Sequence, residues 1–164
     1  MEFYLVQVLT GLSSAAVLFL ISSGLTLIFG VTRILNFAHG SFYMLGAYVA
    51  YSMIQVLGDG FFGFWGSLFI SALAVGVVGA ILEVLMLRRI YHVPELFQVL
   101  ATFGLILIIQ DATLHIWGPE DLLGPQAPGL KGSINILGEP FPTYDILLIF
   151  MALSVWAGLW ALLH

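Results

Sequence analysis

The sequence predicts an all-α, polytopic transmembrane helical bundle of about five spans, one of them broken near Asn36–Gly40. Three observations predict it. Of 164 residues, 61% are apolar and 8% are charged, whereas ordinary soluble domains carry about 25% charged residues. Apolar runs near the ~20 residues a helix needs to cross the hydrocarbon core recur five times. Between the runs stand clusters of Gly, Pro and polar residues that suit turns.

The first run extends from about Tyr4 to Gly30 and holds no charge. The segment before it has no basic stretch or small-residue cleavage site, so it reads as a retained span and not a signal peptide. The second run covers about Ala38 to Leu57, with His39 near its start. Gly58-Asp59-Gly60 then breaks the chain. The third covers about Phe64 to Leu87 and contains Glu83. The fourth covers about Glu95 to Trp117, with Pro94 placed in its first turn, where a missing N–H costs nothing. The fifth covers about Tyr144 to Leu163. Gly118–Thr143 holds five of the six prolines and reads as an ordered loop with a short hairpin around Gly129 to Gly138. A single transmembrane domain thus covers 1–164.

Orientation follows from the few cations. Arg88 and Arg89 close the third span and mark that end as cytoplasmic. Counting spans then puts Arg33 and His164 inside, and the N-terminus and the Pro/Gly loop outside. Ala72, Gly76 and Ala80 repeat at helical spacing in the third span, as do Gly11 and Ala15 in the first. Such small residues let helices approach closely, and they read here as intramolecular packing.

The composition also excludes. The net charge of −5 with four cations is no footprint for nucleic acid. There is no cysteine, and the histidines at 39, 92, 115 and 164 lack metal-ligand spacing. No zincin, nucleophile-elbow or P-loop pattern occurs. Neither a catalytic residue nor a cofactor is expected.

Polar residues inside the runs are the candidates for function, because unsatisfied polar groups at membrane depth are costly. Asn36, His39 and Ser41 lie where a helix restarts. They read equally as a cap and tight turn at the surface or as a broken helix presenting its positive end to a path. Gly40 and Gly46 suit close backbone approach. Asp111 and His115 share one face of the fourth span and are expected to hydrogen-bond each other, with Gln110 beside them. Glu83 is expected to pair with Arg88.

The runs Gly24-Leu25-Thr26-Leu27-Ile28-Phe29-Gly30-Val31, Leu35-Asn36-Phe37-Ala38-His39-Gly40-Ser41 and Tyr43-Met44-Leu45-Gly46-Ala47-Tyr48 closely resemble one family. It is that of the inner-membrane permeases of bacterial branched-chain amino-acid ABC transporters. Leu87-Arg88-Arg89 and the stretch from Leu100-Ala101-Thr102-Phe103-Gly104 to Gln110-Asp111 extend the resemblance over most of the chain. It implies an importer permease in the bacterial inner membrane, embedded in the lipid bilayer. Its partners would be a second homologous permease subunit, two cytoplasmic ATPase subunits and a periplasmic substrate-binding protein. Branched-chain amino acids are the default substrate; urea or short amides within the family, or an ion-coupled secondary transporter outside it, are the alternatives. The resemblance adds Thr102 and Gly104 to Asn36, His39, Gly40, Ser41, Gln110 and Asp111 as residues of the substrate path. It also places 1–164 as the N-terminal portion of a longer permease, with the ATPase-coupling loop after the fifth span.

Overall fold

A computed structural model describes residues 2–33, 36–136 and 138–163. Ile34 and Leu35, in the loop expected inside, and His164, expected at the inner end of the last span, lie outside the described residues. The elements run α1 (Glu2–Thr32), α2 (His39–Leu57), α3 (Phe61–Leu82), a π-helical turn (Glu83–Leu87), α4 (Arg88–Ile90), α5 (Glu95–Trp117), β1 (Ser133–Ile136), β2 (Glu139–Pro142) and α6 (Thr143–Leu163). Four stretches are long and apolar enough to cross a membrane: Tyr4–Val31, Phe61–Ile90, Glu95–Trp117 and Thr143–Leu163. The fifth expected span, α2, has 19 residues, about 28 Å at 1.5 Å per residue. Its lower apolarity has a physical reason. It packs against both α3 and α5, so tyrosines 43, 48 and 51, Ser52 and Gln55 need not all meet lipid.

The chain divides into two compact units, Leu25–Pro125 and the pair Met1–Gly24 with Gln126–His164. In the first, α2 and α3 form a tight helical hairpin. Gly58 adopts φ 85°, and its N–H closes α2 on the Ile54 carbonyl at 2.8 Å. A Cβ at Gly63 would lie 2.2 Å from the Gly58 carbonyl oxygen and 2.7 Å from that of Leu57. Only glycine lets the first turn of α3 fit under this bend. The buried face of α3 carries Phe64, Ser67 and Ser71. Both hydroxyls donate within their own helix, Ser67 to Gly63 and Ser71 to Leu68. Ala72, Gly76 and Ala80 are exposed, as are Gly11 and Ala15, so the small-residue stripes are not buried among the described residues. Helical spacing identifies residues that share a face, not which face turns inward.

In α5, Gln98, Thr102, Leu105, Ile109 and Thr113 form one buried stripe. Pro94 precedes the helix instead of entering its first turn, and its carbonyl accepts the N–H of Phe97 at 2.9 Å. At the other end, Trp117 Nε1 donates to Ser52 Oγ at 2.7 Å, and its ring lies 5.3 Å from that of Tyr48.

In the second unit, β1 and β2 pair antiparallel, Ser133 opposite Pro142 and Ile136 opposite Glu139. The hairpin starts later than expected. Gly129, at φ 83°, belongs to an earlier turn in which Leu130 N–H meets the Ala127 carbonyl at 3.0 Å. The Thr143 hydroxyl donates to the Leu130 and Gly132 carbonyls, each at 2.9 Å. The loop is thereby pinned to the start of α6.

Candidate functional site

The break between α1 and α2 is built from three consecutive devices. Arg33 ends α1 at φ 59°, with its N–H on the Phe29 carbonyl at 2.8 Å. This left-handed conformation costs a side-chain-bearing residue about 1–2 kcal/mol. Asn36 is buried, and its Oδ1 accepts the Ala38 N–H at 3.1 Å. Its backbone carbonyl accepts the His39 N–H at 3.1 Å. The side chain therefore makes an Asx turn. The residue at the cap position is Ala38, without a side-chain cap bond, which corrects the capping role open to Asn36 and Ser41.

Ala38 has no exposed surface and packs in one cluster with Leu105 and Ile109. Leu105 lies nearly three turns beyond Glu95, about 15 Å along α5. The start of α2 is thus set beside the middle of α5, not beside its beginning. A groove of about 550 Å³ adjoins the start of α2, within the ~300–1,000 Å³ typical of small-molecule sites. Its walls are mostly apolar and come from the end of α1 (Leu27, Ile28, Val31), the start of α2 (Phe42) and the α3 side (Gly79, Leu87). Four polar side chains interrupt them: Asn36, His39, Glu83 and Tyr91.

Glu83 opens the π turn. Such turns are rare and concentrate at functional sites. The added residue shifts the register of everything after it, and Tyr91 comes back over the turn to donate its hydroxyl to Glu83 Oε1. Arg88, expected as the partner of Glu83, is exposed, and the described ion-pair geometry includes no Glu83–Arg88 bridge.

The groove brings together Asn36 and His39 of the expected path residues. Gly40 is exposed, with nothing within 4 Å of a Cβ built on it. A Cβ built on Gly46 would lie 3.8 Å from Val75 Cγ2, an ordinary contact. Ser41 is buried in α2. Thr102 is buried and donates to the Val99 carbonyl at 3.0 Å, while Gly104 is half-buried. Gln110, Asp111 and His115 are exposed on α5. Among the described residues no hydrogen bond joins Asp111 to His115, since i,i+4 spacing brings Cβ atoms to about 5–6 Å but does not turn short side chains toward each other. Sequence reasoning missed Tyr91 altogether. Its only signal is its place just after Arg88-Arg89. No group of three or more metal-ligating side chains occurs among the described residues.

Residues 7–164 match the family model described as branched-chain amino acid transport system / permease component. The chain belongs to this family. It is similar to the high-affinity branched-chain amino acid transport system permease protein BraD of Pseudomonas aeruginosa, 27% identical over 95% of this chain and 53% of BraD. It is also similar to the LivH permease proteins of Escherichia coli K12 and Salmonella typhimurium, 27% and 26% identical over 75% of this chain and 42% of each relative. The chain therefore spans about half the length of the curated relatives it matches. No solved structure matches it. Family membership together with four membrane-length apolar helices makes this a multi-pass membrane protein of the permease type.

Proposed function

We propose that this chain is part of the permease subunit of an ATP-driven importer of branched-chain amino acids in the bacterial inner membrane. Residues 1–164 act as one permease domain within it. The observation that carries the reading is the late start of α2. In a chain of this family, a helix that begins beside the middle of its neighbour puts a backbone break and a polar cluster into the bundle's interior. Irregular backbone is tolerated at membrane depth only where protein or a water-filled cavity lines it. Asn36 and His39 border the path at this break, with Gly40 and Ser41 in the first turn of α2 above it. Gly104, Gln110 and Asp111 line its continuation along α5, facing the second homologous permease subunit, while Thr102 is buried on the opposite side of that helix.

Energy comes from partners. The sequence carries no phosphate-binding loop, so two cytoplasmic ATPase subunits hydrolyse ATP, and a periplasmic binding protein delivers substrate. The test is uptake of labelled leucine by proteoliposomes holding the full-length permease pair and its ATPases. Uptake is expected only with ATP and the binding protein. Uptake driven by an ion gradient without ATP would overturn the reading in favour of a secondary transporter. Gly132→Cys in the loop should react with an impermeant thiol reagent added outside; labelling only from inside would overturn the orientation.

A further inference from the structure

The groove under α2 combines features that suit one class of ligand. Its surface is mostly apolar, contributed by Leu27, Ile28, Phe42 and Leu87. Into it the π turn presents one carboxylate, Glu83, and the described lining includes neither lysine nor arginine. The partner that the structure gives Glu83 is a neutral phenol hydroxyl. A carboxylate in a membrane segment is strongly favoured by a cationic partner, and an ammonium group would provide one. Asn36 and His39 border the same groove at the start of α2, where first-turn N–H groups and the helix dipole favour negative charge. Apolar walls, one acceptor of positive charge and one positive helix end correspond to the three parts of a zwitterionic apolar amino acid.

We propose that this groove binds such an amino acid, its α-ammonium on Glu83 and its carboxylate toward the start of α2. Tyr91 is a positioning residue, holding the carboxylate through its hydroxyl. The proposal rests on the permease reading and sharpens it, because urea and short neutral amides have no ammonium to offer Glu83. Charge-assisted hydrogen bonds contribute about 1.5–3 kcal/mol, so losing one weakens binding about tenfold or more.

The experiment measures tritiated leucine binding to the full-length permease–ATPase complex in nanodiscs, without the delivery protein, alongside leucine uptake by the complete transporter. Glu83→Gln is expected to weaken leucine binding at least tenfold. Glu83→Asp should restore part of the affinity. Tyr91→Phe should weaken binding about threefold without lowering the maximal uptake rate. 4-Methylpentanoate, which lacks the ammonium, should not compete with leucine. Wild-type affinity in Glu83→Gln overturns the proposal, as does competition by 4-methylpentanoate. So does a wild-type complex that imports leucine yet binds none in this assay. If Glu83→Gln does not assemble, unchanged affinity in both Tyr91→Phe and Glu83→Asp overturns it. A wild-type transporter that imports no amino acid at all fails the permease reading itself.

Discussion

The start of α2 and the last turns of α5 both set polar residues within apolar sequence, yet the chain treats them in opposite ways. At the start of α2, Asn36 and Ser41 are buried, and the Asn36 carboxamide satisfies the Ala38 N–H. Along α5, Gln110, Asp111 and His115 stay exposed. The difference teaches that polarity in a membrane segment does not decide burial. What decides it is whether the backbone beside the polar residue is irregular. An uninterrupted helix satisfies its own N–H and C=O groups, so its polar side chains are free to face outward. A broken helix must recruit side chains to satisfy its backbone, and it buries them in doing so.

The contrast can be broken most easily at Ala38. Ala38→Leu inserts three carbons where there is no exposed surface, and overpacking of this kind costs about 1–3 kcal/mol. A large fall in the yield of folded protein is expected by size-exclusion fluorescence. Gly40→Leu, two residues on, enters open space and should leave that yield unchanged. Equal losses from the two would show that burial does not distinguish them. Asn36→Ala comes next. It leaves the Ala38 N–H buried without its acceptor, an expected loss of about 1–3 kcal/mol measurable by thermal denaturation in detergent. Asp111→Ala on the exposed face should stay within about 0.5 kcal/mol, and a cost equal to that of Asn36→Ala would erase the comparison.

A smaller effect is expected at the far end of α2. Trp117→Phe keeps an aromatic ring beside Tyr48 but removes the bond to Ser52, worth about 0.5–1.5 kcal/mol. In a double-mutant cycle with Ser52→Ala, the two losses should be strongly non-additive. Arg33→Gly should act in the other direction, relieving about 1 kcal/mol of left-handed strain. No gain in stability would mean that the Arg33 side chain compensates for its own backbone cost.

Much of this could be read from the sequence, for physical reasons that also mark where reading stopped. Hydropathy located the apolar runs because lipid exposure demands them, and Glu95–Trp117 matched end for end because proline and glycine flank it. The break at Asn36 was visible as a polar interruption. The π turn was not, because an i→i+5 turn uses the same residues as the α-helix on either side. The partner of Glu83 was misread for the same cause: the extra residue carries Arg88 away and brings Tyr91 back. The groove draws its walls from residues as far apart in sequence as Leu27 and Tyr91, a convergence that no local pattern reports.

The glycine seat at Gly63 bears on how the protein enters the bilayer. Alone, α2 is a poor candidate for insertion, since residues such as His39 and Gln55 are unfavourable in a translocating segment. Its turn into α3 is so close that a methyl group at Gly63 would collide with the carbonyls of Leu57 and Gly58. The helix that follows belongs to the most apolar of the four membrane-length stretches. A weakly inserting helix joined without slack to a strongly inserting one enters the membrane as a hairpin, and the polar start of α2 is carried in by its neighbour.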